Sequence, residues 1–380
     1  MSRPLRVLHC PSAVGGNPPA LAREERNQGL DSRCVTFLGN PFGYPVDEDL
    51  ASGKGLLERY AARFNLIRQS VACYDVVHFN FGTSLLPLAG ADPSAGMIGH
   101  CRTRCWNALV AGLDLRLLRA LGKTVFVTYQ GDDARQGDRF AQLYGPELGR
   151  EVGEGYYTTA SDAMKRRGVA LFDRYAQRIF HLNPDLAAVL PKRSRFMPYA
   201  HVDPQTWPVT PSSGPDPVIL HAPSHRGVKG TRFVLEAVAR LRQEGLRFDF
   251  RLVENLPHAE AVRLYAQADL LVDQLLIGWY GGLAVELMAL GKPVVGHVRS
   301  SDLGQLPEAM RREIPITDAT PASILAVLRR MIGLGCSGLR ELGLRSRTYV
   351  ERWHDPRPIV SGLVAEYQAV VGDSAAGDGR

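Results

Sequence analysis

The sequence predicts an α/β protein of two doubly wound, parallel-sheet domains facing each other across a cleft. Three observations predict it. Short apolar runs of β-branched character alternate with helical patterns along the chain, which implies parallel strands covered by helices on both faces. The chain has 380 residues, too many for one ordinary core and enough for two. Finally, "TPSSGPDP" at 210–217, rich in Pro, Ser and Gly, separates two such series and reads as a linker.

The first series runs through strands at "RVLHC", "RCVTFL", "DVVHFN", "KTVFVTY" and "RIFHLN". Helical patterns such as "PPALAREERNQGL" and "ALVAGLDLRLLRALG" lie between them, and the series defines an N-terminal domain over 1–209. The second domain, 218–352, opens with strand "PVILHA" and helix "TRFVLEAVARLRQEG". It continues through strand "FDFRLV", helix "HAEAVRLYAQA", strand "DLLVDQLL", a helix opening near Leu283, and strand "KPVVGHV". Further helical patterns follow, the first with Thr320 as N-cap and Pro321 in its first turn. A last helix over 353–372 is expected to pack back toward the first domain, and 373–380 reads as a disordered tail.

Hydrophobic residues at 45% and charged residues at 22% describe a water-soluble globular protein rather than a disordered one. The formal net charge of +6 suits acidic partners such as nucleotides or phospholipid headgroups. The basic residues are mostly arginines spread along helices, so a nucleic-acid partner is not expected. Cysteines at 10, 34, 73, 101, 105 and 336 show no Cys-x-x-Cys pair and are expected to be small buried residues. The N-terminus enters a strand at once, and no window approaches the ~20 apolar residues of a spanning helix. The expected location is the cytoplasm. The arginines of "HCRTRCW" and "DLRLLRALGK" admit peripheral contact with anionic lipid at the inner membrane face, against the plainer reading of a solvated helix face.

The chemistry concentrates at strand ends, where such sheets place ligands. "HAPSHRGVKGT", 221–231, joins a strand to a helix and brings Arg226, Lys229, Gly227 and Gly230 to one loop. Two cations, bare backbone and the free N–H groups of a helix N-terminus make an anion site. In "DLLVDQLLIGWYGGLAVELMALGKPVV", 269–295, Gly281 and Gly282 again permit close main-chain approach before a helix. Glu286 is expected in the first turn of that helix, where its charge suits the dipole and its oxygens can accept from ribose hydroxyls. Trp279 and Tyr280 are expected in the core.

Taken together, "RGVKGT", "LPHAEAVRLYAQADLLVDQ" and "GWYGGLAVELMALGKPVV" resemble the GT-B retaining glycosyltransferases of family 4. That resemblance implies a GT-B fold of two Rossmann-like domains and transfer of a sugar from a nucleotide-diphosphate sugar, with retention of configuration. It implies that Arg226 and Lys229 bind the donor diphosphate and stabilise the leaving group, and that Glu286 holds the ribose. The main chain of Gly281, Gly282 and Leu283 would contact the donor, with Gly16 and Glu254 on the same side. Gly15, in "RVLHCPSAVGG", and Gln130, Asp132 and Asp133, in "VFVTYQGDDAR", would lie on the sugar and acceptor side. No cofactor is implied beyond the nucleotide sugar itself, and no metal; Asp47-Glu48-Asp49 reads as a solvated loop. The acceptor would be a saccharide, a lipid-linked sugar or a small molecule, as in polysaccharide biosynthesis.

Two departures stand out. Eight positions before Glu286, where the family usually carries another glutamate, stands Gly278; where it often carries His-Gly, stand Gln130 and Gly131. They motivate a rival reading, a catalytically silent nucleotide-binding subunit. A nucleotide-sugar epimerase ranks last, because it needs acid–base groups and His78, His181 and His201 read as structural.

Overall fold

The computed structural model describes residues 3–37, 40, 42–90, 96–210 and 214–377, with side chains for all of these except 56 and 373–377. The expected linker at 210–217 and tail at 373–380 lie partly outside the described residues. The described residues form two wholly parallel sheets. The first contains β1 (Arg6–Cys10), β2 (Asp31–Thr36), β3 (Glu48–Asp49), β4 (Val76–Asn80), β5 (Thr124–Tyr129), β6 (Arg178–His181) and β7 (Arg195–Phe196), in the order β3-β2-β1-β4-β5-β6-β7. The second contains β8 (Val218–His221), β9 (Asp249–Leu252), β10 (Leu270–Val272), β11 (Val294–Gly296) and β12 (Thr317–Asp318), in the order β12-β11-β10-β8-β9. Winding reverses between β1 and β4 in the first sheet and between β8 and β10 in the second. Loops leaving β1, β8 and β10 therefore border the crevices where such sheets bind ligands.

Every residue of β4 and β5 is buried, as parallel strands with two covered faces must be. On one face, helices Leu56–Cys73, Leu113–Ala120 and Thr159–Tyr175 contribute Leu66, Ile67, Leu115, Leu118 and Phe172 to a core with Val77 and Val125. Each such side chain contributes about 1.5–3 kcal/mol by burial. On the other face lie helix Asn17–Asn27 and the last helix, Pro356–Gly377, which returns from the second lobe to the first. Tyr367 pins it there: its hydroxyl donates to Glu25 Oε1 at 3.1 Å and lies 2.6 Å from His78 Nδ1. Glu366 adds ion pairs to Arg178 and Arg195.

Several local expectations differ from the structure. Glu48 and Asp49 form an edge strand on β2 rather than a loop, and Asp47 accepts from the Cys34 N–H at 2.7 Å. The last helix continues to Gly377, past the expected end at 372, through a stretch that holds Ala375 and Ala376, the residue type that favours helix most. Of the cysteines, Cys10 and Cys34 are buried, but Cys73, Cys101 and Cys105 are exposed, because the helices bearing them turn those positions outward. Trp279 and Tyr280 are core, stacked with centroids 4.1 Å apart.

Candidate active site

The loop after β8 folds into a single helical turn, Arg226–Lys229, whose start is capped by His225: its Nδ1 accepts from the Val228 N–H at 3.2 Å. Gly230, at φ 71°, then allows the chain to enter helix Thr231–Gln243. This turn sends its two cations in different directions. Lys229 points inward and donates Nζ–H to Asp273 Oδ1 at 2.7 Å. Asp273 follows β10 and is buried; its other oxygen accepts from the Gly281 N–H at 2.7 Å, at the start of helix Gly282–Ala289. One buried carboxylate thus fixes an ammonium group beside a helix N-terminus.

These groups border a cavity of about 280 Å³ between the lobes. The first lobe contributes Val14, Gly15 and Tyr44 to its wall; the second contributes Lys229, Glu254, His258, Gly282, Leu283 and Glu286. Glu286 is almost wholly buried and sits in the second turn of its helix, not the first, because the helix begins at Gly282. Its Oε1 accepts from His258 Nε2 at 2.8 Å and lies 3.5 Å from His201 Nε2. Burial pushes the Glu286 carboxyl up, but the imidazoles of His201 and His258 outweigh it and hold the group below its ordinary value. For His258 burial lowers the value, and Glu286 more than offsets this, leaving it raised.

His258 also joins the lobes. It opens helix His258–Tyr265, its backbone N–H donates to Phe42 O at 2.8 Å, and its ring lies against Tyr44 with centroids 4.6 Å apart. Gly16, at φ 69°, makes room for Tyr44: a Cβ there would come within 2.8 Å of its ring.

Lys229, Glu254, Glu286, Gly282, Leu283 and Gly15 are therefore brought to one cavity, with Gly281 beside Lys229 and Gly16 behind Tyr44. Arg226 is not on that wall. It is exposed and paired in fork fashion with Glu254, at 2.8 and 2.5 Å. Gly227 does not leave backbone free for a ligand either; a Cβ there would lie 2.3 Å from the Glu151 carbonyl oxygen, because helix Glu147–Val152 of the first lobe packs against it. Gly230 faces Leu275 and Phe233.

On the first lobe, Gln130 lies beside Gly15, with Oε1 3.8 Å from where a Cβ would stand on Gly15, and its buried Nε2 has no partner among the described residues. Asp132 and Asp133 are not presented to the cavity. Asp132 accepts from Arg135, Tyr156 and Tyr157, and Asp133 from the N–H groups of Gln130 and Gly131. Burial pushes the Asp133 carboxyl up to about 6. Arg135 is buried and paired again with Asp185 at 2.7 Å, so the cluster satisfies itself.

Gly278 has φ 87°, and a Cβ there would fall 2.4 Å from Arg299 Nη1. Arg299 fills that place, stacked 3.7 Å over the Tyr144 ring and bonded to Ile277 O and Asp302. A glutamate at 278 would collide with it. His78 and His181 are buried in the core, whereas His201 lies on the cavity wall, because Glu286 is its neighbour.

Sequence reasoning missed Asp273, His201, His258 and Tyr44. The signal for Asp273 was a lone carboxylate inside the apolar run "DLLVDQLL". Nothing local marked Tyr44 or His258. Among the described residues no group of three or more His, Cys, Asp or Glu side chains is arranged to hold a metal ion.

No protein-family model and no curated protein matches the chain. Solved structures do. The chain is similar to sucrose-phosphate synthase from Thermosynechococcus elongatus at 15% identity and a TM-score of 0.62, covering 98% of this chain and 100% of that one. It is similar to a glycosyltransferase from Rickettsia africae at 11% identity and a TM-score of 0.57, covering 97% and 99%. A third likeness is to the catalytic domain of starch synthase IV from Arabidopsis thaliana, bound to ADP and acarbose, at 8% identity and a TM-score of 0.56, covering 98% and 100%. At such identities the likeness concerns architecture, and it extends over both lobes and the returning helix: the chain has the GT-B fold.

Proposed function

We propose that this protein is a retaining glycosyltransferase that takes a sugar from a nucleotide-diphosphate donor and places it on a hydroxyl acceptor. The observation that carries the reading is the convergence of Lys229, the N-terminus of helix Gly282–Ala289 and Glu286 on one interlobe cavity. The diphosphate sits against Lys229 and the free N–H groups of Gly282 and Leu283, where the helix dipole favours negative charge. Glu286 accepts from the ribose hydroxyls, and Gln130 and Gly15 border the transferred sugar. Arg226 adds a second cation once it exchanges Glu254 for phosphate oxygen.

Breaking the bond between the sugar and the phosphate sends its electron pair onto the diphosphate, where these preorganised charges stabilise it. The acceptor hydroxyl bonds to the sugar on the same face, and its proton passes to the departing phosphate oxygen. The closed lobes exclude water, which favours transfer over hydrolysis. The fold shared with a sucrose-phosphate synthase and a starch synthase supports this reading. The acceptor is a saccharide, lipid-linked sugar or small molecule of the kind built into polysaccharides, and no metal is required.

The test is a thermal-shift and calorimetry screen over uridine, guanosine, adenosine and thymidine diphosphates and their sugars, followed by product analysis. The expected result is tight binding of one nucleotide sugar, release of its diphosphate, and a product whose anomeric proton matches the donor. Binding without any turnover would instead make the chain a silent subunit.

A further inference from the structure

Helix Met97–Leu109 buries none of its residues and is built inside out. A surface helix ordinarily turns its apolar stripe toward the core. Here Met97, Ile98 and Leu109 are 88%, 78% and 70% exposed. At helical spacing they share one face with Cys101, Cys105 and Ala108, all exposed, while Thr103, Trp106 and Asn107 turn toward the protein. Arg102 and Arg104 flank the apolar face on its two sides, and neither makes an ion pair with a described residue. Helix Leu113–Ala120 also exposes leucines, Leu113 and Leu117, with Arg116 and Arg119 together along one side of them.

Charge says what covers this face. From 96 to 123 the one carboxylate is Asp114, which is buried and accepts from the N–H groups of Leu85 and Leu86. Every exposed charge on the segment is therefore positive. Helix Leu56–Cys73 lies in the same layer, exposes Leu57 and Phe64, and carries a single carboxylate, Glu58, which caps its own start at Gly55. Apolar side chains flanked by arginines, with no exposed acid beside them among the described residues, match the boundary of an anionic bilayer, where tails take the first and headgroups the second. Among the described residues no helix is long and apolar enough to cross a membrane, so the contact is with its surface.

We propose that helices Met97–Leu109 and Leu113–Ala120 dock this protein onto an anionic lipid bilayer. The helices follow the C-terminal end of β4, the sheet edge that borders the cavity, so docking would bring a bilayer-held acceptor to the cleft. That last consequence alone rests on the proposed sugar transfer; the docking does not.

The experiment is co-flotation of the full chain with vesicles of phosphatidylcholine alone and of phosphatidylcholine with phosphatidylglycerol. The bound fraction is expected to be roughly tenfold higher on the anionic vesicles at low salt, and to fall when added salt shortens the screening length. Met97→Ser/Ile98→Ser and Arg102→Gln/Arg104→Gln should each lower partitioning roughly tenfold, with circular dichroism and melting midpoint unchanged. No flotation at low salt, flotation equal on neutral vesicles, or variants that float like the parent would overturn the proposal. So would a dimer in solution that these same substitutions dissolve, since a second copy would then cover the face. Nucleotide binding by calorimetry is read in parallel, so failure of docking and failure of the transferase reading appear separately.

Discussion

Two strand-end loops of this protein have nearly the same ingredients and opposite fates. After β5, Asp132 and Arg135 close on one another, on Asp185 and on two tyrosines, Asp133 accepts from main-chain N–H groups, and no charge of the loop is left over for a ligand. After β8, Lys229 is also paired, to Asp273, but its ammonium group stays on the cavity wall beside a helix N-terminus. The difference teaches that charge at a strand end is a site only if the surrounding structure leaves part of it unspent. In the first loop Tyr156 and Tyr157 arrive from a later segment to saturate Asp132. In the second the one buried partner, Asp273, is shared between Lys229 and the Gly281 N–H, and the ammonium group keeps its place on the cavity wall.

That contrast can be broken from either side. Arg135→Met strands the buried Asp185 and the partly buried Asp132 and should cost about 3–5 kcal/mol of stability in denaturant melts, with turnover changed only as far as folding is. Were Arg135→Met to keep its stability and lose donor binding, the charged cluster of the first loop would be functional after all. Lys229→Ala also strands a buried carboxylate, Asp273, and should cost a comparable amount of stability, but in addition it should lower the turnover of the folded protein about 10²–10³-fold, the scale for removing one preorganised donor. Parent-like rates in that variant would leave the cavity without its principal cation.

Gly227→Ala sharpens the comparison at the seam between the lobes. The added methyl meets the Glu151 carbonyl oxygen, and the closed arrangement should lose about 1–3 kcal/mol, visible as a larger radius of gyration by X-ray scattering. The smallest effect is the pH dependence of the latch made by His258 and Glu286. His258 is raised, so its contribution is full below its ordinary 6.5 and is lost as pH climbs through the raised value. Glu286 is lowered, so its contribution is present above its ordinary 4.5 and is lost as pH falls through the lowered value. The pair is strongest between these limits. Above them the melting midpoint should decline by an amount worth roughly 1 kcal/mol or less, and His258→Gln should remove that slope.

Much of this site was legible in the chain. The strand–loop–helix units around Lys229 and around Gly281 and Gly282 are local, and their bare backbone and cation type point to an anion before any fold is known. Glu286 was legible through its distance from those glycines. Gly227 was misleading, because a glycine that admits a ligand and one that admits a neighbouring helix look alike in sequence. Arg226 was placed on the right loop but faces Glu254, a partner 28 residues away. The role of Arg299 in filling the space beside Gly278 had no local signature at all.

Alternating strand and helix, the order of the two lobes and the positions of the glycine-bearing loops at strand ends were determined by sequence alone, since hydrogen-bond periodicity and helix-end chemistry act over a few residues. Which charges remain available was decided only by tertiary structure. Asp273 reaches Lys229 across 44 residues, and Tyr44 reaches His258 across the cleft, and no short-range rule registers either contact. A buried charge must find its partner wherever the packed lobes bring one, because leaving it unpaired costs more than the fold can spare.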